Sequence, residues 1–435
     1  MKAITARGAL ALSIAALLAA SLAGCVPDDA GNGNAGGNTD KGDLQCGLAS
    51  GEAATGDPIE VGAIATASGG VDFSSSPKAA AAYFDCVNEN GGINGRPINY
   101  SYQDDALDPT KTAQLAAGYA ADDNVVGLVG DATFIGCDVA NAEYAKGDLY
   151  SITGVGVPQA CFSSSNIAPV NAGPRQSAIQ LLQWLQDEGK ADAVFQVGLN
   201  TQGNGDWVAA GINEYADANG INIVGTELSD PTESNWLPLI QKIKDSGATS
   251  VIIVDPGPIT AAILAAVEQQ DARGDITWTC TASCYDAQFG SQIGAYWEGF
   301  VANSELQLVD EAGADNELWK SVMDAYADAD APRDTFSQAG FLAAKMFTDA
   351  LLQLDPADIS RETVSAAMLG ITNYSSDLLC RPWYYGEADE HNANHSTRTA
   401  EITDGVFTKL TDCIDSGDPA LDGIFAREES EGLVG

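Results

Sequence analysis

A chain of 435 residues with 61 acidic and 20 basic side chains, a formal net charge of −41, is too acidic to neutralise nucleic-acid phosphates or to adhere to anionic lipid headgroups. At 45% hydrophobic residues it has ample apolar material, and its length suits two lobes better than one small core. The charge favours solubility, including in a salty setting, and does not by itself identify a ligand.

Lys2 and Arg7 precede an apolar run from Ala9 to about Ala20, which ends at Leu22-Ala23-Gly24-Cys25. A positive start, a short apolar centre and small residues before cleavage predict a signal peptide over 1–24. The run is shorter than the roughly 20 apolar residues of a membrane span. Leu-Ala-Gly-Cys resembles the bacterial lipobox, so Cys25 is expected to carry lipid and to hold the protein at the outer face of the bacterial cell membrane. Residues 25–57 are expected to form a flexible tether, because Val26–Asp43 is dominated by Gly, Asn, Asp and Pro.

With Cys25 set aside from the 9 cysteines, an even set remains, which outside the cytosol reads as disulfides. Eight cysteines admit about 105 pairings. The expected set is local: Cys137 with Cys161, Cys280 with Cys284, Cys380 with Cys413, and Cys46 with Cys86. Paired Cys-x-x-Cys spacing is missing, which argues against a zinc site.

From Pro58 strand and helix alternate. Strands are predicted at Ile59–Ala65, Ile98–Gln103, Val125–Val129 and Tyr150–Val155. Helices are predicted at Pro77–Asn90, from Pro109 (capped by Asp108) to Ala121, and from near Cys137. A second series follows: helix Gln176–Glu188, strand Ala193–Val197, helix Asp206–Asn219, strand Ile221–Thr226, helix Asn235–Ser246, strand Ser250–Val254, helix Ile259–Gln270, strand Ile276–Thr279. Three helices come next, around Leu318–Ala329, Phe336–Leu354 and Arg361–Leu369. Strand-like segments Trp383–Tyr385 and Ala400–Leu410 close the chain, the latter turning at Asp404-Gly405. This spacing predicts an α/β fold with doubly wound parallel sheets. No Gly-x-Gly-x-x-Gly opens either half, so no dinucleotide or other cofactor is expected.

Asn88, Gly91-Gly92-Ile93-Asn94-Gly95-Arg96-Pro97-Ile98, Asp104-Asp105 and Asp108-Pro109 occur in that order. In this combination, in Val125–Gly130 and in Ile402-Thr403-Asp404-Gly405-Val406-Phe407, the sequence resembles the leucine/isoleucine/valine-binding family of type I solute-binding proteins. The resemblance covers nearly everything after Pro58. It implies two lobes joined by a three-strand hinge, with crossings near 166–173, 300–306 and 373–380. Lobe one would hold 58–170 and 305–373, lobe two 171–300 and 380–413, and 414–435 would be a tail. It further implies a monomer that binds a small molecule between its lobes, and an ABC-type permease that recognises the closed form. The Gly-rich motif itself is read as a turn requirement.

In open parallel sheets ligands sit outside the carboxyl ends of the strands. That rule selects loops 66–73, 131–136 and 154–157 from lobe one, and 199–205, 255–257 and 281–285 from lobe two. The candidate ligand-binding residues are Ser68, Thr133, Phe134, Val155, Val157, Asn200, Gln202, Asn204, Asp255 and Tyr285. Each has a plainer role to set against this: Asp255 as a cap for the helix near Pro258, Asn200 and Asn204 as turn residues. Trp184 and Trp207 are assigned to core packing. Amino-acid binders of the family hold the ligand carboxylate with lobe-one hydroxyls and the ammonium with a lobe-two acid. Here Val155-Gly156-Val157 lacks the hydroxyl, Gln202 replaces an aromatic residue, and the position of the acid falls among Ala282, Ser283 and Cys284. A branched-chain amino acid is therefore not favoured, and the expected ligand is a small polar solute: an amino acid, an amide or a small organic acid.

Two other classes compete with this reading. A ligand sensor signalling to a separate membrane partner would use the same lobes. A secreted hydrolase would need a site, and the only metal-like signal is His391 and His395, with no glutamate after His391 in the His-Glu-x-x-His manner and no further histidine. Without a Gly-x-Ser-x-Gly elbow either, neither catalysis nor a bound metal is expected.

Overall fold

The computed structural model describes residues 44–433. The first series comprises β1 (Ile59–Ala65), α1 (Ser75–Glu89), β2 (Ile98–Asp104), α2 (Pro109–Ala121), β3 (Val125–Val129), α3 (Cys137–Lys146), β4 (Ser151–Thr153), α4 (Gln159–Phe162) and β5 (Ile167–Pro169). Its sheet is five-stranded and parallel throughout, in the order β2-β1-β3-β4-β5. The central strand β3 is Val-Val-Gly-Leu-Val and buried at every position, as a parallel strand covered on both faces must be. Helix α2 starts where the sequence places it: Asp108 accepts from the amides of Thr110 and Lys111, and Pro109 fills the first turn.

The second series runs α5 (Pro174–Asp187), β6 (Val194–Leu199), α6 (Gly205–Asn219), β7 (Ile223–Ser229), α7 (Leu237–Ser246), β8 (Ser250–Val254), α8 (Gly257–Gln269), β9 (Thr277–Cys280), α9 (Phe289–Ile293) and β10 (Val301–Ser304). Helices α10 (Ala314–Tyr326), α11 (Thr335–Leu351) and α12 (Arg361–Leu369) then return to the first lobe. There Trp319, Phe341 and Phe347 pack with Ile59, Tyr83 and Phe84. Finally β11 (Ser396–Thr403), β12 (Val406–Lys409) and β13 (Ile414–Asp415) join the second sheet, followed by α13 (Asp422–Glu431). That sheet runs β12-β11-β10-β9-β8-β6-β7, with β13 on β11. It is parallel from β7 to β10 and antiparallel where β11 and β12 are added. Alternation within Ser250–Val254 divides the core: Val251 and Ile253 face one cluster, with Ile240 and Leu264, while Ile252 faces another, with Leu181 and Ile212.

The chain passes between lobes three times. The first passage leads from β5 to α5 and the second follows β10. The third lies at 386–395 and not at the anticipated 373–380, because Trp383, Tyr384 and Tyr385 are buried in the first-lobe core while β11 opens at Ser396. For the same reason 383–385 is not a strand; only Trp383 pairs, as an isolated bridge with Tyr374. One side chain ties the passages together: Asn394 Nδ2 donates to the carbonyls of Val170 (3.0 Å) and Glu305 (3.1 Å).

Both ends of the described chain are more ordered than composition suggests. Leu44 and Cys46 are buried in the first-lobe core, so residues 44–57 are not free tether. The segment 414–433 is not a loose tail. Asp418 pairs with buried Arg175 at 2.6 Å, Glu428 accepts from Tyr384 Oη at 3.0 Å, and Leu433 packs into the first lobe. The four disulfides are Cys46–Cys86, Cys137–Cys161, Cys280–Cys284 and Cys380–Cys413. Cys25 and the predicted signal peptide lie outside the described residues.

Candidate ligand-binding site

The carboxyl ends of the strands from both sheets face one another across a cleft. On the first lobe, Asp131 at the end of β3 accepts from the Ile64 amide at 2.5 Å and from the Ser151 hydroxyl, which locks the ends of β1, β3 and β4 in register. Burial pushes the Asp131 carboxyl up to about 6, while those two donors oppose the rise. Thr66 Oγ1 accepts from the Phe134 amide (2.9 Å) and donates to Asp105 (3.1 Å), so the end of β1 positions Phe134. Asn171 grips Gly156 at two points, accepting from its amide at 2.7 Å and donating to its carbonyl at 3.1 Å. This clamp sets Val155 and Val157. A Cβ on Gly156 would lie 2.8 Å from Pro169 Cγ, so the close approach requires glycine.

On the second lobe, the Asp255 carbonyl accepts from Ser283 Oγ (2.7 Å) and Thr260 Oγ1 (3.2 Å), which fixes its backbone after β8. Its side chain is 1% exposed, and neither oxygen accepts a hydrogen bond from any described residue. Burial alone pushes this carboxyl up to about 7. It does not cap α8, whose N-cap is Pro256 with no side-chain capping bond. The second passage contributes Glu305, also buried. Its Oε1 accepts from Ser177 Oγ at 2.8 Å, and Oε2 makes no bond of hydrogen-bonding geometry. Burial pushes it to about 7 as well, against the lowering influence of Ser177, Asn171 and the Gly173 backbone.

These groups line a half-open cavity with about 400 Å³ of empty space, open solvent included. Its walls include Phe73, Phe134, Val155, Val157, Asn171, Asn204, Asp255, Thr281, Ser283, Glu305 and Phe336. Phe73 holds the aromatic wall together, its ring 5.7 Å from Phe134 and 5.3 Å from Phe336. A wider outer cavity of about 1340 Å³ shares Phe73, Pro256, Ser283 and Phe336 with it and opens between the lobes. The lobes touch on both sides of the cleft. The Gln159 amide donates to the Gly203 carbonyl at 2.7 Å, and Asp286 bridges to Asp334.

Residues 58–406 match the family model described as periplasmic binding protein. The chain belongs to the periplasmic binding protein family. Such proteins bind their ligands outside the cytoplasm. Among solved structures this binding protein is similar to the Rhodopseudomonas palustris ABC transporter solute-binding protein in complex with 4-hydroxybenzoate, with 16% identity and a TM-score of 0.70 over 84% of this chain and 100% of that one. It is also similar to a fatty acid ABC transporter substrate-binding protein from Thermomonospora curvata (19%, 0.70, 86% and 95%). A third is the Desulfitobacterium hafniense ABC transporter substrate-binding protein complexed with Leu (16%, 0.65, 81% and 100%). At such identities the likeness is one of fold. No curated protein gives a significant match to the sequence.

Of the ten residues anticipated for this periplasmic binding protein, Phe134, Val155, Val157, Asn204 and Asp255 line the inner cavity. Ser68 and Tyr285 line the outer one, and both are occupied: Ser68 Oγ donates to Asp104 at 2.6 Å, and Tyr285 Oη accepts from the Val309 amide at 2.8 Å. Thr133 is buried and used internally, accepting from the Gly136 amide. Asn200 and Gln202 are exposed and line neither cavity, because their loop turns outward before Asn204. Asn204 opens α6 without capping it, and its Oδ1 is buried without a partner. Sequence reasoning did not single out Phe73, Asn171, Glu305, Ser283 or Phe336. Phe73 and Ser283 lay within the selected loops; Glu305 follows β10, a strand that the sequence reading did not anticipate, and Phe336 lies at the start of α11, after no strand end. The two histidines lie away from the cleft in buried structural roles. His391 Nδ1 sits 2.8 Å from the Ser164 carbonyl, and His395 Nε2 sits 3.0 Å from Glu428. Among the described residues no group of three or more metal-ligating side chains converges.

Proposed function

We propose that this protein is the extracytoplasmic receptor of an ABC-type importer. It captures a small polar solute between its lobes as a monomer tethered by lipid at Cys25, and presents the closed form to the membrane permease. The observation that carries the reading is the inner cavity, walled by strand ends of both sheets and by the passages between them. Ligand that touches both lobes at once stabilises closure by differential affinity for the closed state, and a permease can read that state. Release unchanged follows from the same design, since reopening breaks only non-covalent contacts.

A thermal-shift screen of metabolites on the full chain tests this. A true ligand at 100 times its dissociation constant adds about 2.7 kcal/mol of stability. It should be recovered chemically intact, and its cellular uptake should fall when the gene is deleted. Turnover of the bound compound, or uptake indifferent to the deletion, would overturn the proposal.

A further inference from the structure

Resting on the receptor reading above, we infer that the cleft selects an organic cation with a compact apolar body, an amine without a carboxylate, held by Asp255 and Glu305 beside the Phe73, Phe134 and Phe336 rings. The chain is acidic everywhere, so acids near a cleft carry no information by their number. Burial does. Asp255 is 1% exposed with both oxygens lacking a protein partner, and Glu305 and Asn204 each present a further buried oxygen without one. An ionised carboxylate stripped of water is costly unless a partner neutralises it. The four oxygens are acceptors and ask for N–H donors.

Nothing comparable awaits an anion. Among the described residues no Lys, Arg or His lines either the inner or the outer cavity. Two side-chain donors at the inner wall are engaged: Asn171 with the Gly156 carbonyl, and Ser283 with the Asp255 carbonyl. Two of the helix starts at the inner cavity, the usual substitute for cationic side chains, are blunted. Pro174 stands in the first turn of α5 and Pro258 in that of α8, and each lacks an amide hydrogen. An amino acid would find buried acids for its ammonium and no cationic side chain for its carboxylate. The aromatic wall completes the match, because ring faces attract cations and accept apolar bodies equally. Asp72, Asp286 and Asp334 line the outer cavity on the way in and draw positive charge toward the opening.

Isothermal titration calorimetry of the full chain decides between ligand classes. The probes are phenethylamine and isopentylamine, each against its amino acid (phenylalanine, leucine), with 2-phenylethanol and 3-phenylpropionate as neutral and anionic analogues. At least one amine should bind about tenfold or more tightly than its amino acid and than the alcohol, and 3-phenylpropionate should give no heat. Asp255→Asn and Glu305→Gln should each weaken the amine about tenfold or more, the loss expected for a charged hydrogen bond. Circular dichroism verifies that the variants fold, and if either fails, the probe comparison alone decides. The proposal is overturned if neither amine binds, or if an amino acid or 3-phenylpropionate binds as tightly as the amine. Small-angle scattering separates the two levels. A non-amine that binds and compacts the protein ends the amine proposal and leaves the receptor reading intact, whereas a bound probe that causes no compaction ends the receptor reading.

Discussion

Asp255 has a titration behaviour that follows from its burial. In the unfolded chain its carboxyl ionises near pH 4, and in the folded protein it holds its proton to about pH 7. Between those values the native state binds the extra proton, so stability falls as pH rises through the window. The contribution is fully present below about pH 4 and is lost above about pH 7, with an upper bound on the order of 4 kcal/mol. Asp255→Asn, which cannot ionise, should therefore melt higher than the wild type at pH 8 without ligand, and the two should converge near pH 4. Equal calorimetric midpoints at pH 8 would show that water or relaxation already solvates the carboxylate. Asp255 was legible in the sequence because it follows an apolar β-type run. Glu305 was not: its significance comes from Ser177 and Asn394, 128 and 89 positions away, which converge on it only after folding.

At the scale of elements, apolar runs and caps marked the longer pieces to within a few residues. Short pieces such as β5 and α4, at three and four residues, are decided by neighbours and not by periodicity. The hinge makes the same point. Asn394 sits in a polar stretch that reads as loop, yet its amide joins the Val170 and Glu305 carbonyls in a buried position. Asn394→Ala strands both carbonyls and is expected to cost about 2 kcal/mol, read as a lower urea midpoint. An unchanged midpoint would mean that the three passages are held by their other bonds, among them Asn303 Nδ2 to Thr397 Oγ1 and Gln180 Nε2 to the His395 carbonyl.

The whole chain carries a formal net charge of −41. Self-repulsion of that size opposes compaction, and salt screens it over a Debye length of about 10 Å at 0.1 M. The melting temperature should accordingly rise by several degrees between 0.05 and 0.5 M sodium chloride in scanning calorimetry. A flat response would place the charges too far apart, or too well paired, to matter. The buried pair Arg175 with Asp418 joins α5 to the C-terminal segment and leaves the surface excess untouched.

Local pattern pointed to the α/β alternation, to cysteines that pair within 40 residues, and to the strand ends that the parallel-sheet rule offers a ligand. Those are properties of short-range periodicity and of a general rule about parallel sheets. Tertiary structure alone decided which loop residues turn inward, where the third passage runs, and that Glu305 and Phe336 join Asp255 in one cavity. Burial and the lack of a partner belong to the packed arrangement of distant segments, and no window of sequence contains them.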